Sequence, residues 1–416
     1  MNEKKILLRN SVMLYILTFS TYVFSFITVP YLTRILGPQN FGIIGYSMAV
    51  SLYFQLFIDF GFILSGTEEV SRHRNNINKV RKIYTSINII KLIISILSIF
   101  VFFLLTVYIA KFQEYFYIVL FYVLTAIVKS FLPDYIYRGL EKMTSITIRT
   151  VSIRLFSMVG IFVLVDSPKK IILVPVFDLL SNSIAVYLSY RHLKKEFKIK
   201  FSFVEINEIF QVFNSAKVFF LSRIVSTLYT TTNTFIVSKI SDVNTLGYYS
   251  AADKLMSTGK SLFSPISDSI YPYMVRNKDL GLVKKILIIT TPITIMGSIV
   301  LYYYAYDISS ILLGKNFRET GAFLRALTPI VVITLPEYIL GFPTLTCIGL
   351  SRYANYSIYF GTTIFFLCLI FLNYSHNLSA ISLCYLTSLT EFCILMYRIV
   401  IVLKNKKMFN GNIVEL

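Results

Sequence analysis

Long runs that are apolar on every side, among them Ile89 to Ile109 and Tyr356 to Leu372, constrain this chain more than any other feature. A bilayer core takes roughly 20 apolar residues per helical crossing, because each backbone N–H and C=O must find its partner within the segment. Strands of a membrane barrel would instead alternate apolar and polar residues at a period of about 2. The runs do not alternate, so membrane-spanning helices are predicted. Composition agrees, since 56% of the 416 residues are hydrophobic, 15% are charged and the mean hydropathy is +0.68. A water-soluble body could not cover its surface from that inventory.

Scanning for such runs predicts twelve helices over 12–33, 41–64, 86–109, 115–137, 147–165, 170–190, 214–238, 246–274, 285–305, 323–346, 354–373 and 378–402. The first run is too long for a cleaved signal peptide, and no A-x-A-like site follows it. The expectation is an all-α integral membrane protein with multiple passes.

The net charge of +19 has to be placed before it is interpreted. With the N-terminus inside, the cytoplasmic segments carry 25 basic residues, including Arg72, Arg138, Arg149 and Arg398, and the external ends carry 8, including Arg34 and Lys239. This asymmetry follows the positive-inside rule and puts both termini in the cytoplasm. Most of the basic excess is topological, so no nucleic-acid partner is expected. The four cysteines, Cys347, Cys368, Cys384 and Cys393, all fall in apolar runs without C-x-x-C spacing, and the three histidines are scattered over loops. No metal, cofactor or catalytic residue is expected from them.

The longest polar stretch inside the chain, Arg191 to Asn214, follows the sixth helix and divides the chain into 1–200 and 201–416, read as two six-helix bundles. Asn10-Ser11 recurs as Asn214-Ser215 at the start of an apolar helix, and Gly42 and Gly247 open the helix that follows in each half. Copies with an even number of crossings would share one orientation. Elsewhere the loops are short, which argues against a membrane polymerase or glycosyltransferase with an extramembrane catalytic domain.

Ionisable groups at helix centres cost about 2.5–3.5 kcal/mol on insertion scales, so several of them require a wet cavity or partners. Besides the basic residues already counted to the cytoplasmic and external ends, the spans contain seven cations: Lys91, Lys129, Arg154, Lys217, Arg223, Lys254 and Lys260. Lys91 and Lys217 lie near the cytoplasmic end, where snorkelling explains them. Lys129, Arg223 and Lys260 lie nearer mid-depth. Seven acids accompany them: Asp59, Asp134, Asp178, Asp253, Asp268, Glu337 and Glu391. Simple pairing would join Asp134 to Arg138 at i,i+4, and Asp253 to Lys260 or Arg223.

Polar side chains also recur at helical spacing. The first helix aligns Ser11, Tyr15, Thr18, Tyr22 and Ser25. The seventh aligns Ser222 or Arg223, Ser226, Thr230 and Asn233, and the eighth aligns Ser250, Asp253, Ser257, Lys260 and Ser264. Hydroxyl stripes can serve as glue between helices. Charge at mid-depth on corresponding helices of both halves fits a water-filled central cleft better.

The segments VPYLTRILGPQNFGIIGYS (29–47), DFG (59–61) and SGTEEV (65–70) resemble the opening of polysaccharide-exporting flippases, the O-antigen (Wzx-type) and teichoic-acid exporters. LGYYSAADKL (246–255), with SPI (264–266) and YP (271–272), resembles the eighth-helix signature of the same family. The resemblance implies the multidrug/oligosaccharidyl-lipid/polysaccharide exporter fold in a bacterial plasma membrane. It also implies a substrate made of an oligosaccharide repeat unit on a polyprenyl diphosphate carrier, moved from the cytoplasmic to the external leaflet by alternating access. The expected partners are that lipid-linked oligosaccharide, membrane lipid and a glycan polymerase of the same pathway.

Mid-depth cations can bind a diphosphate through charge-assisted hydrogen bonds. Arg223 and Lys260, with Lys129 and Arg154 behind them, are therefore the diphosphate candidates, and Asn233 and Tyr22 stand on stripes that would contact sugars. Asp253, Asp59 and Asp134 are candidates for a coupling proton or sodium, or for ion pairs, with structure favoured for Asp59. Arg34 belongs to the signature but sits at an external helix end, where it can anchor. Two competing readings remain at this point, an organic-cation exporter of the same fold and a membrane-embedded glycan polymerase. Pro133, Pro265, Pro329 and Pro336 fall inside spans and are expected to kink them.

Overall fold

Each of the twelve apolar intervals is occupied by helix in a computed structural model, which describes residues 3–409; the side chains of residues 3–8, 11, 222, 226, 229, 230, 272 and 407 lie outside the description. Among the described residues, nine helical stretches are long and apolar enough to cross a membrane, the first of them running from Val12 to Arg72. The helix that carries Asp253, Lys254 and Lys260 is too charged to be counted among them. The chain forms two compact units, one of Met1–Thr28 and Ile43–Thr227, the other of Val29–Gly42 and Leu228–Leu416.

α1 (Glu3–Asp59), whose residues Val29–Gly42 belong to the second unit and the rest to the first, leaves helical geometry at Gly37 alone, so the loop expected between the first two spans shrinks to the Gly37-Pro38 step. Pro38 lacks the N–H that a helix start would leave unpaired, which suits it to resume the helix. α1 stops at Asp59 because Phe60 (φ 38°) and Gly61 (φ 76°) both take left-handed backbone. A side chain on Gly61 would meet Phe220 N at 2.8 Å, so glycine answers both the conformation and the close approach. The Phe60 ring stacks on Phe213 at 4.6 Å and Phe220 at 4.2 Å, which holds the break in place. α2 (Phe62–Arg72) and α3 (Ile77–Tyr108) follow, the latter capped by the Asn76 side chain on Lys79 N.

After the short α4 (Ala110–Glu114), α5 (Phe116–Ser130) ends three residues before Pro133, and α6 (Asp134–Gly139) resumes. The kink expected at Pro133 is thus a full break. α7 (Met143–Leu164) and α8 (Leu173–Glu196) complete this unit together with the first part of α9 (Ile206–Ile240). Its core gathers Phe62, Val70, Ile87, Tyr135, Ile136 and Tyr137.

The second unit contains α10 (Val243–Ser261), α11 (Ser264–Asn277), α12 (Leu280–Leu313), α13 (Thr320–Leu327), α14 (Pro329–Leu340), α15 (Phe342–Cys347), α16 (Ser351–Tyr374) and α17 (Ala380–Lys404). Asp242, Asp279 and Ser379 cap α10, α12 and α17 with their side chains. Pro265 and Pro329 stand in the first turns of α11 and α14, whereas Pro336 stays inside α14. The two glycines of the proposed repeat touch each other. A Cβ built on Gly42 would lie 3.2 Å from Gly247 Cα, and one on Gly247 would lie 2.0 Å from the Pro38 carbonyl oxygen.

Candidate functional site

The break after α1 leaves Asp59 at a helix C-terminus, where the unpaired carbonyls already carry partial negative charge. A buried carboxylate there needs cations, and two supply it. Lys91 Nζ on α3 lies 3.9 Å from Asp59 Oδ1, and Arg223 Nη1 on α9 lies 3.8 Å from Oδ2. Gln55 Nε2 donates to Asp59 Oδ2 at 3.4 Å, and Lys129 Nζ donates to Gln55 Oε1 at 3.5 Å.

Lys91 also donates to the Ser130 carbonyl, one of the orphan acceptors at the end of α5, and its ammonium stands 5.7 Å from the centre of the Tyr135 ring. It is 2% exposed and does not snorkel as expected, because two interrupted helices leave negative ends that a cation at this depth can satisfy. The cations of the cluster therefore divide. Lys91 is committed to the protein interior, while the Arg223 side chain is 37% exposed and Lys129 is exposed.

Asp134 pairs with a different residue from the one expected. Arg149 Nη2 on α7 donates to Asp134 Oδ1 at 2.6 Å, and its Nη1 donates to Ser189 Oγ at 3.0 Å. Arg138 makes no ion pair among the described residues. Asp134 sits in the first turn of a six-residue helix that follows a proline break, and Arg149 reaches it from the next helix as a fork. Arg154 lies apart from the Asp59 cluster, half-buried in electrostatic range of Asp178, which accepts from Ser157 Oγ at 3.1 Å. Tyr22 is half-buried on α1.

A second charged cluster occupies the second unit. Lys260 Nζ on α10 meets Glu391 Oε1 on α17 at 2.5 Å, and Arg398 Nη1 lies 3.4 Å from Glu337 Oε1 on α14. The Arg398 guanidinium also donates to the Glu337 carbonyl at 2.6 Å and to Ser357 Oγ at 2.9 Å. The Lys260 side chain is 22% exposed, whereas those of Glu391, Glu337 and Arg398 are buried.

Pairing of Asp253 with Lys260 or Arg223 is thus corrected, since Lys260 pairs with Glu391 and Arg223 with Asp59. Seven helical residues separate Asp253 from Lys260 by about 10 Å along the axis, too far for direct contact. Asp253 is exposed, and no hydrogen bond or ion pair holds it among the described residues. Asn233 is buried and donates to Thr387 Oγ1 at 2.7 Å. The stripe positions Ser11, Ser222, Ser226 and Thr230 have side chains outside the described residues.

Sequence reasoning passed over Gln55, Glu337, Glu391, Arg149 and Arg398 as site members. Arg149 and Arg398 stand among the basic residues that the positive-inside rule places in the cytoplasm, yet the side chains of both are buried against acidic partners. Glu391 and Arg398, at i and i+7 on one helix face, carried the available signal.

The family model described as "Polysaccharide biosynthesis protein" matches residues 7–278. The chain is 24% identical over 337 residues to a protein of Escherichia coli K12 named "Putative O-antigen transporter", covering 79% of this chain and 81% of the relative. A protein of the same name from Shigella dysenteriae is 25% identical over 329 residues, covering 77% and 81%. Among solved structures, the lipid II flippase MurJ in an inward closed conformation superposes with a TM-score of 0.71 at 16% identity, covering 97% of this chain and 89% of that one. An inward-facing multidrug resistance MATE family transporter of the MOP superfamily gives a TM-score of 0.64 at 10% identity, covering 93% and 99%. These structures share the fold with this chain.

Proposed function

Since the chain belongs to the family of polysaccharide biosynthesis proteins, we propose that it is a flippase for oligosaccharide repeat units linked through a diphosphate to a polyprenyl carrier. It carries them from the cytoplasmic to the external leaflet of a bacterial inner membrane by alternating access, with both of its termini in the cytoplasm. It is a transporter and forms no bond in the substrate. The relatives named as O-antigen transporters support this class of cargo.

One observation carries the reading of the headgroup: Lys91 and Arg223 flank the Asp59 carboxylate, Lys129 joins them through Gln55, and Arg223 and Lys129 stay accessible. A diphosphate diester with about two negative charges would complement that excess through charge-assisted hydrogen bonds. Arg223 and Lys129 are the residues of this cluster that recognise it, and Lys260, in a cluster of its own, is a further candidate. Arg154 has a weaker claim because Asp178 already acts on it. The sugars meet Tyr22 and Asn233, and the polyprenyl tail stays in lipid. A glycan polymerase of the same pathway receives the product.

Deletion of the gene in its host tests this reading. Surface polysaccharide is expected to disappear while full-length lipid-linked repeat units accumulate on the cytoplasmic leaflet. Normal surface glycan with new sensitivity to cationic dyes would instead identify an organic-cation exporter.

A further inference from the structure

Apart from the Asp59 cluster, two carboxyl groups lie buried against each other in the second unit. Glu337 is 6% exposed and Glu391 is 3% exposed. Lys260 serves Glu391 Oε1, and Arg398 stands near Glu337 Oε1. No N–H or O–H donor among the described residues reaches Glu337 Oε2, and the Glu391 carboxyl lies within hydrogen-bonding reach of Glu337. An ionised carboxylate only accepts hydrogen bonds. Two such acceptors in a buried contact repel unless a proton lies between them, and they then titrate as a pair.

We propose that Glu337 and Glu391 share one exchangeable proton, and that holding it loosens Lys260 from Glu391 so that the ammonium can bind the diphosphate of the substrate. This inference rests on the diphosphate reading given above. The groups that act on the pair come from three helices. Lys260 on α10 and Arg398 on α17 act on the pair itself, and Tyr338 on α14, next to Glu337, and Asp253 on α10 act on Lys260. From α11, Ser267 Oγ donates to the Tyr338 carbonyl, and Cys347 on α15 donates to the Thr344 carbonyl, so neither supplies the missing proton.

A neutral Glu391 holds an ammonium less strongly than a carboxylate does. By linkage, an anion bound at Lys260 favours the protonated pair to the same extent. Diphosphate binding therefore takes up a proton.

The test uses the full-length protein in detergent with farnesyl diphosphate as probe, titrated calorimetrically in buffers of different ionisation enthalpy. Wild type is expected to take up close to one proton on binding, with a Kd that rises by as much as about tenfold per pH unit above the titration of the pair. Glu337→Gln and Glu391→Gln are each expected to bind without proton uptake and with a Kd independent of pH. A purely structural role would lower the melting temperature and leave the proton count unchanged.

Proton uptake of the wild-type size in both variants overturns the proposal. So does binding to wild type without proton uptake, an outcome that leaves the diphosphate reading standing. If wild type fails to bind the probe, the diphosphate reading fails, and with it the link to Lys260. The proton itself has a separate readout in unmodified protein. Infrared difference spectroscopy, at a pH where the unliganded pair lacks the proton, is expected to show a protonated carboxyl band that appears on addition of farnesyl diphosphate and responds to deuterium exchange, and no such change in a protein that binds the probe would also overturn the proposal.

Discussion

Arg223 Nη1 and Asp59 Oδ2 stand 3.8 Å apart, with the arginine side chain 37% exposed and the aspartate side chain 3% exposed. This is a looser pair than Arg149 with Asp134, which meet at 2.6 Å. A looser and half-exposed pair can give its cation to an incoming anion at small cost, because solvent already screens part of the attraction.

Replacing Arg223 by alanine is accordingly expected to leave the fold nearly intact, with a loss of about 1 kcal/mol or less in thermal unfolding. Binding of farnesyl diphosphate should weaken by about tenfold to a hundredfold, the worth of a charge-assisted hydrogen bond of about 1.5–3 kcal/mol. Unchanged affinity in a folded Arg223→Ala protein would remove this residue from the site.

Replacing Asp59 by alanine should cost more stability. Lys91 would keep its ammonium buried without a counter-charge, and uncompensated burial costs about 3–5 kcal/mol. The double variant Asp59→Ala/Lys91→Met should recover part of that loss, because the stranded charge goes with its partner. Thermal unfolding of the two proteins in the same detergent checks both expectations.

Much of the architecture was legible in the sequence, because apolar runs, prolines and glycines act locally. Pro133 and Pro265 mark real interruptions. The stop at Phe60-Gly61 was not legible, because it depends on Phe213 and Phe220, more than 150 residues away in the chain. Partner choice among charges was the least legible part. Lys91 looked like a snorkelling lysine and Arg398 like a cytoplasmic one, yet a helix end in one case and Glu337 in the other hold them inside. Candidates picked by depth, Arg223, Lys129 and Lys260, do fall in charged clusters.

The Gly42–Gly247 contact supplies a packing prediction. In Gly247→Ala the new Cβ would fall 2.0 Å from the Pro38 carbonyl oxygen, which is backbone and cannot swing aside. A destabilisation of about 1–3 kcal/mol is expected from such overpacking. An unchanged melting temperature would contradict the close approach.

At the start of α10, the Thr245 hydroxyl, followed by the Thr245 and Asn244 amides, holds the Asp242 carboxyl below its usual range. A depressed folded value means that the stabilisation is complete above the unfolded pKa of about 3.9 and is lost as the pH falls through the folded value. Asp242→Ala should cost about 1 kcal/mol at neutral pH, the usual worth of an N-cap. The difference from wild type should shrink in unfolding measured at acidic pH.

The most direct measurement is transbilayer movement in proteoliposomes loaded with a fluorescent polyprenyl-diphosphate oligosaccharide, read by the fraction of label that becomes accessible to an external quencher. The account expects wild-type protein to expose the labelled lipid faster than empty liposomes do, and Arg223→Ala to slow it. Movement no faster than in empty liposomes, from protein that is folded and inserted, would contradict a flippase for diphosphate-linked oligosaccharides.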